Sequence, residues 1–180
     1  NAKPPVCRLI AQSADMVIVM AHYRHSTQDR PGPLAAQNWF ETTIQNCASE
    51  VPRARLGIAF GNYVRDWCGA ESEPLSFDKA MMTANEHRAI VRMDDASLNP
   101  GFRYKDTGGR LHEVWMLDAV TAFNQLTAAG KFKPRGVALW RLGSEDSALW
   151  RFFGKTNTVD SQAVSLLSDI EYKRGINYTG

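Results

Sequence analysis

The sequence has no run of about 18 apolar residues, so nothing in it reads as a membrane-spanning helix. It has no C-x-x-C pair, and its cysteines number three: Cys7, Cys47 and Cys68. An odd count without close spacing suggests neither a zinc site nor a disulfide framework, and free buried thiols are the expectation. There is no basic cluster: the formal net charge is +2 and Lys and Arg are scattered. That excludes the electrostatic footprint of a nucleic-acid partner. Internal repeats and low-complexity segments are absent as well. The opening Asn1-Ala2-Lys3-Pro4-Pro5 has neither a starting Met nor the apolar stretch of a signal peptide. The expectation is a chain cut from a longer polypeptide.

What is there suits one domain with a real core. The chain has 180 residues, 44% hydrophobic and 22% charged. The stretch on which the reading turns is Gly136-Val137-Ala138-Leu139-Trp140-Arg141-Leu142-Gly143-Ser144-Glu145-Asp146. Its first half is short, apolar and bounded by Pro134 and glycines, as in a buried parallel strand. Its second half turns polar, and the carboxyl end of such a strand is where α/β folds place ligand sites. Trp140 stands at that change. It reads either as a face on which a sugar ring stacks or as core filler.

Along the chain, Cys7–Ser13 reads as the tail of a helix and Met16-Val17-Ile18-Val19-Met20 as a buried parallel strand. Apolar residues at spacings of three and four (Ala35, Trp39, Phe40, Ile44, Cys47) predict a helix over Leu34–Glu50. Arg55-Leu56-Gly57-Ile58-Ala59-Phe60 is a second strand. After it comes Gly61-Asn62-Tyr63-Val64-Arg65-Asp66-Trp67, read as a loop rich in side chains that stack on and hydrogen-bond to a sugar. Ser76 is the predicted N-cap of a helix to about Arg88. A short strand over 90–93 precedes a hairpin with strands near 102–106 and 110–115 around Thr107-Gly108-Gly109. Asp118–Ala129 reads as a helix ended by Gly130, and Ala148–Phe153 as a short one. A polar run from Lys155 marks the predicted end of a domain over 1–155, with 156–180 a linker or the start of another module.

Val114-Trp115-Met116-Leu117-Asp118, a helix, and then Gly136-Val137-Ala138-Leu139-Trp140-Arg141-Leu142 resemble the end of a family 18 glycoside hydrolase barrel, the chitinase-like enzymes. The likeness spans residues 8–155. It implies an α/β fold: a partial TIM (β/α)8 barrel holding about the sixth to eighth strands, with a small α+β insertion before the last of them. It also implies that Trp140 floors the sugar subsite next to the scissile bond. The branch it resembles occurs in extracytoplasmic parts of large bacterial proteins that carry polysaccharide deacetylase and glycosyltransferase modules. The implied partner is an oligo- or polysaccharide of β-linked N-acetylhexosamine, with no cofactor, no metal and no nucleic acid.

Cleaving a glycosidic bond needs a carboxylic acid to protonate the leaving oxygen. The family supplies it from a D-x-x-D-x-D-x-E segment, which this chain lacks; Asp94-Asp95 and Glu145-Asp146 have other spacings. No catalytic residue is therefore assigned here. Met20-Ala21-His22-Tyr23 stands where the family has Met-x-Tyr-Asp; ungapped, His22 falls at the tyrosine and Tyr23 at the aspartate, so either the tyrosine has slipped by one or the site is altered. His22 and His25 lack a third ligand for a metal site. The candidate substrate-binding residues are Trp140, Tyr63, Asn62, Arg65, Trp67, Tyr23, His22 and Trp115. Two further functions stay open: a non-catalytic sugar-binding module, and a structural spacer docking a neighbouring module.

Overall fold

The computed structural model describes residues 6–23 and 30–151. His25, Phe153 and the expected boundary near residue 155 lie outside them. Within them the chain is a mixed α/β fold built on two sheets.

The first sheet is parallel. Strand β1 (Val17–Met20) pairs with β2 (Leu56–Gly61), and β2 pairs with β8 (Gly136–Trp140), in the order β1-β2-β8. Helices α1 (Val6–Ser13), α2 (Gln37–Ala48) and α4 (Ala119–Gly130) connect and cover it. Register assigns the side chains to faces. Val17, Val19, Leu56, Ile58 and Phe60 share one face and are buried in the main core with Phe40 and Ile44 of α2 and Val120 and Leu126 of α4. The opposite face carries Ile18 and Met20, then Gly57, Ala59 and Gly61, then Gly136, Ala138 and Trp140. On that face Ile18 is 50% exposed and Met20 62% exposed.

Local chemistry explains the helix starts. Ser76 accepts from the Lys79 N–H at 3.3 Å and Asp118 from the Thr121 N–H at 2.8 Å, each satisfying a first-turn donor. The α2 start has no side-chain cap. There the Gln37 N–H donates to the Ser97 carbonyl at 2.9 Å. The Asn99 amide meanwhile grips both backbone groups of Ala35, at 3.0 and 3.1 Å.

The insertion is larger than the expected hairpin. Residues 64–116 hold a five-stranded antiparallel sheet in the order β4-β3-β7-β6-β5. Its strands are β3 (Val64–Cys68), β4 (Glu71–Leu75), β5 (Arg92–Met93), β6 (Pro100–Lys105) and β7 (Leu111–Met116), with helix α3 (Phe77–Glu86) between β4 and β5. The β6–β7 hairpin stands as expected, whereas the reading of 61–67 as a loop is corrected: the chain turns at Asn62-Tyr63 and immediately forms β3. Ser147–Arg151 forms a short helix of the 3-10 kind where a short helix was expected.

The cysteine expectation is corrected too. Cys7 of α1 and Cys47 of α2 form a disulfide, with Cα atoms 5.5 Å apart. Both helices lie against β1, which brings residues 40 apart in sequence into bonding range. Cys68 is free.

Candidate functional site

The carboxyl ends of the three parallel strands and the start of β3 meet in one place. Trp140, the last residue of β8, points to the weakly covered face of the sheet and is 51% exposed. Its ring lies parallel to that of His22, with centroids 5.5 Å apart and planes 7° from each other. Gly61 stands beside them in register with Trp140. A Cβ at Gly61 would come 2.6 Å from Leu117 Cδ1, 2.8 Å from the Tyr63 ring and 3.0 Å from His22 Cβ. Only glycine lets these side chains close on the strand end.

Tyr63 ties the two sheets. Its hydroxyl donates to the His22 carbonyl at 2.7 Å, and its own carbonyl accepts from the Leu117 N–H at 2.9 Å. Burial pushes the Tyr63 hydroxyl well above its ordinary pKa, Tyr23 adding to the shift and Arg65 opposing it. Burial likewise lowers the pKa of His22, favouring its neutral form. Tyr23 is part-exposed, and the Arg65 guanidinium lies over its ring at 5.7 Å. Arg65 Nη1 donates to Ser72 Oγ at 2.9 Å, while Arg65 Nε has no hydrogen-bond partner among the described residues. Trp115 is the register partner of Arg65. It is half-buried, and its indole N–H donates to Glu113 Oε1 at 2.8 Å. Trp140 and His22, Tyr23 and Arg65, and Arg65 and Trp115 thus form a chain of neighbours running from one sheet to the other.

Two further candidates, like His22 and Tyr63, are held inside the protein. Trp67 is 1% exposed and fills a second core cluster with Leu34, Ala35, Tyr63 and Leu117. Trp67→Ala is expected to cost about 3–5 kcal/mol, as for other large core truncations, read as a shift in denaturant midpoint. Asn62 is fully buried and serves as a bracket. Its N–H donates to the Trp140 carbonyl at 2.9 Å, and its Oδ1 accepts from the Asp146 N–H at 2.7 Å.

The polar residues after β8 serve the same bracing. Asp146 accepts from the N–H groups of Ala119, at 3.0 Å, and Ala148, at 2.9 Å. Glu145 accepts from the Gly143 N–H. The Ser144 carbonyl accepts from the first N–H of α3 at 3.0 Å. Gly143 itself has φ +86°, a conformation that favours glycine. Asp94, likewise, caps its own turn through Ser97. Neither carboxylate pair supplies a group free of the backbone on both residues. Among the described residues no cluster of three His, Cys, Asp or Glu could hold a metal.

Sequence reasoning did not single out Asp66. It is buried in β3, accepts from the Tyr104 hydroxyl at 2.7 Å and meets His112 Nδ1 at 3.0 Å. These residues lie on the sheet face turned away from Arg65 and Trp115. Burial and the Asp66 bond raise the Tyr104 pKa. The partners of Asp66 lie about forty residues away in sequence, so only the β3–β7–β6 register reveals the group.

No protein-family model matches the chain. Among curated proteins it is similar to the cortical fragment-lytic enzyme of Bacillus subtilis, 24% identical over 149 residues, covering 79% of this chain and 35% of that protein. Among solved structures it is similar to a chitinase from Chromobacterium violaceum, with a TM-score of 0.74 and 24% identity over 80% of this chain and 46% of that one. A family GH18 chitinase from Cycas revoluta, in complex with allosamidin, matches with a TM-score of 0.63 and 19% identity, over 83% of this chain and 48% of that one. The chain spans about a third to two fifths of the length of the curated relatives it matches. The structural neighbours are therefore chitinase-like proteins of family 18, as the resemblance in the sequence implied.

Proposed function

We propose that this chain is the carboxyl-terminal part of a (β/α)8 barrel of the glycoside hydrolase type, and that it forms the sugar-binding mouth for a polymer of β-linked N-acetylhexosamine. The observation that carries the reading is Trp140: a half-exposed indole at the carboxyl end of a parallel strand, on the face opposite the helices. In a barrel that face is the interior, and its carboxyl end is where substrates bind. The exposed Ile18 and Met20 and the small residues Gly57, Ala59, Gly61, Gly136 and Ala138 fit a face that further strands and their side chains cover. Aromatic rings stack on the apolar C–H faces of sugars, and Arg65 and Tyr23 beside Trp140 supply groups for hydroxyls or an acetamido oxygen. The extracytoplasmic setting and neighbouring deacetylase or glycosyltransferase modules are part of the same reading, and the disulfide fits an oxidising compartment.

A second reading has its own observation. His22 and Tyr23 stand where the family has Tyr and Asp, which favours a module that binds the polymer without cleaving it. Both readings predict that the 180-residue chain alone releases no sugar from N-acetylglucosamine oligomers, because it holds no acid with the required spacing. They part on the complete polypeptide that carries it. Release of reducing ends by that polypeptide supports the hydrolase, and tight binding of (GlcNAc)3 without release supports the binding module. Absence of both binding and release sinks the sugar reading.

A further inference from the structure

His22 poses a problem of cost. It is 3% exposed, and neither ring nitrogen has a hydrogen-bond partner among the described residues. Burying an imidazole with both nitrogens unmatched is unfavourable. Yet the residue is held in place at its backbone and Cβ. The Tyr63 hydroxyl fixes the His22 carbonyl at 2.7 Å. The missing Cβ of Gly61 leaves space that His22, Tyr63 and Leu117 fill to contact. What the ring does meet is Trp140, in a parallel stack with centroids 5.5 Å apart and planes 7° from each other.

We propose that His22 is the positioning residue for Trp140: its neutral ring backs the indole and sets the angle at which a sugar ring seats. This rests on the reading of Trp140 as a sugar platform. A stacked ring pair keeps the indole from rotating, so less rotamer freedom is lost when the ligand arrives. A tyrosine or phenylalanine would back the indole equally well. A histidine adds a dependence on acid. Among the described residues the titratable and charged groups tied to it are Tyr63, through the His22 carbonyl, and the adjacent Tyr23 with Arg65 over its ring. None of these is acidic, and burial alone accounts for the lowered pKa. The sign follows. A pKa depressed below 6.5 keeps His22 neutral and stacked at neutral pH. As pH falls through the depressed value, the ring takes up a proton that no partner among the described residues shares, and the neutral backing of the indole becomes a cation.

The test uses the complete polypeptide. Trp140 emission, taken as the difference between wild type and W140F, is followed from about pH 8 to about pH 4, where an imidazole charges. The expected result is a step with its midpoint below 6.5, because an imidazolium touching an indole quenches it. That step is expected to vanish in H22F. Titration with (GlcNAc)3 is expected to show about ten-fold weaker binding for H22A. H22F should restore affinity to within about two-fold of wild type at neutral pH and hold it in acid. The proposal is overturned if the emission shows no step that H22F removes, or if H22A binds like wild type. H22F as weak as H22A at neutral pH also overturns it, since a nitrogen rather than the ring would then be needed. If wild type binds no (GlcNAc)3, the platform reading fails, while the emission titration still decides whether His22 governs Trp140.

Discussion

Trp140→Ala in the complete polypeptide weakens binding of (GlcNAc)3 by about ten-fold or more while leaving the fold nearly intact. The first half of that expectation follows from stacking: an aromatic face holding a ring contributes on the order of 1–3 kcal/mol, by analogy with stacking on nucleobases, and 1.4 kcal/mol is a factor of ten. The second half follows from position. At 51% exposure the indole keeps much of its surface in water, and its truncation leaves no closed cavity of the kind that costs about 3–5 kcal/mol in a core. Calorimetric titration and a denaturant melt of the same variant read the two quantities separately. Unchanged affinity with a large loss of stability would reverse the assignment and make Trp140 a packing residue.

Reduction of the Cys7–Cys47 bridge carries the second large effect. The cross-link closes a loop with a sequence separation of 40. In the chain-entropy account, releasing such a loop costs about 4 kcal/mol. Cys47 is 2% exposed on the core side of α2, so the packing around the sulfurs survives reduction and the loss resides largely in the unfolded state. Cys47→Ser, or reductant added to the wild-type protein, is expected to lower the denaturant midpoint by that loss divided by the denaturant slope. Cys68→Ser is the control and leaves the response to reductant unchanged. Identical melts with and without reductant, together with three alkylatable thiols in the unfolded protein, would remove the bridge from the account.

The parallel strands and the helices after them were legible because their signals are local. Met16–Met20, Arg55–Phe60 and Gly136–Trp140 are largely apolar runs between breakers, Ser76 caps its helix as expected, and Asp118, read as the start of its helix, is the N-cap. The aromatic at the end of β8 was legible for the same reason. What escaped depends on contacts between distant residues. β3 contains Arg65 and Asp66, which read as loop residues until Asp66 meets Tyr104 and His112 across the sheet. β4 carries Glu71, Glu73 and Pro74 and is largely exposed, a pattern that suits a sheet edge but gives no apolar alternation to read. The disulfide escaped because counting cysteines says nothing of which helices lie side by side. Asn62 and Trp67 carry the right chemistry for a sugar, yet one braces the strand ends and the other fills a core. Only the direction of each side chain separates those uses from the part-exposed faces of Tyr23, Trp115 and Trp140.

The most direct measurement is a crystal structure of the complete polypeptide with (GlcNAc)3 bound. The account predicts a sugar ring lying parallel to the Trp140 indole within about 4 Å, the separation of apolar contact. It also predicts further strands paired to the outer edges of β1 and β8. A structure with Trp140 covered by protein side chains, and the oligosaccharide bound elsewhere or not at all, would contradict it.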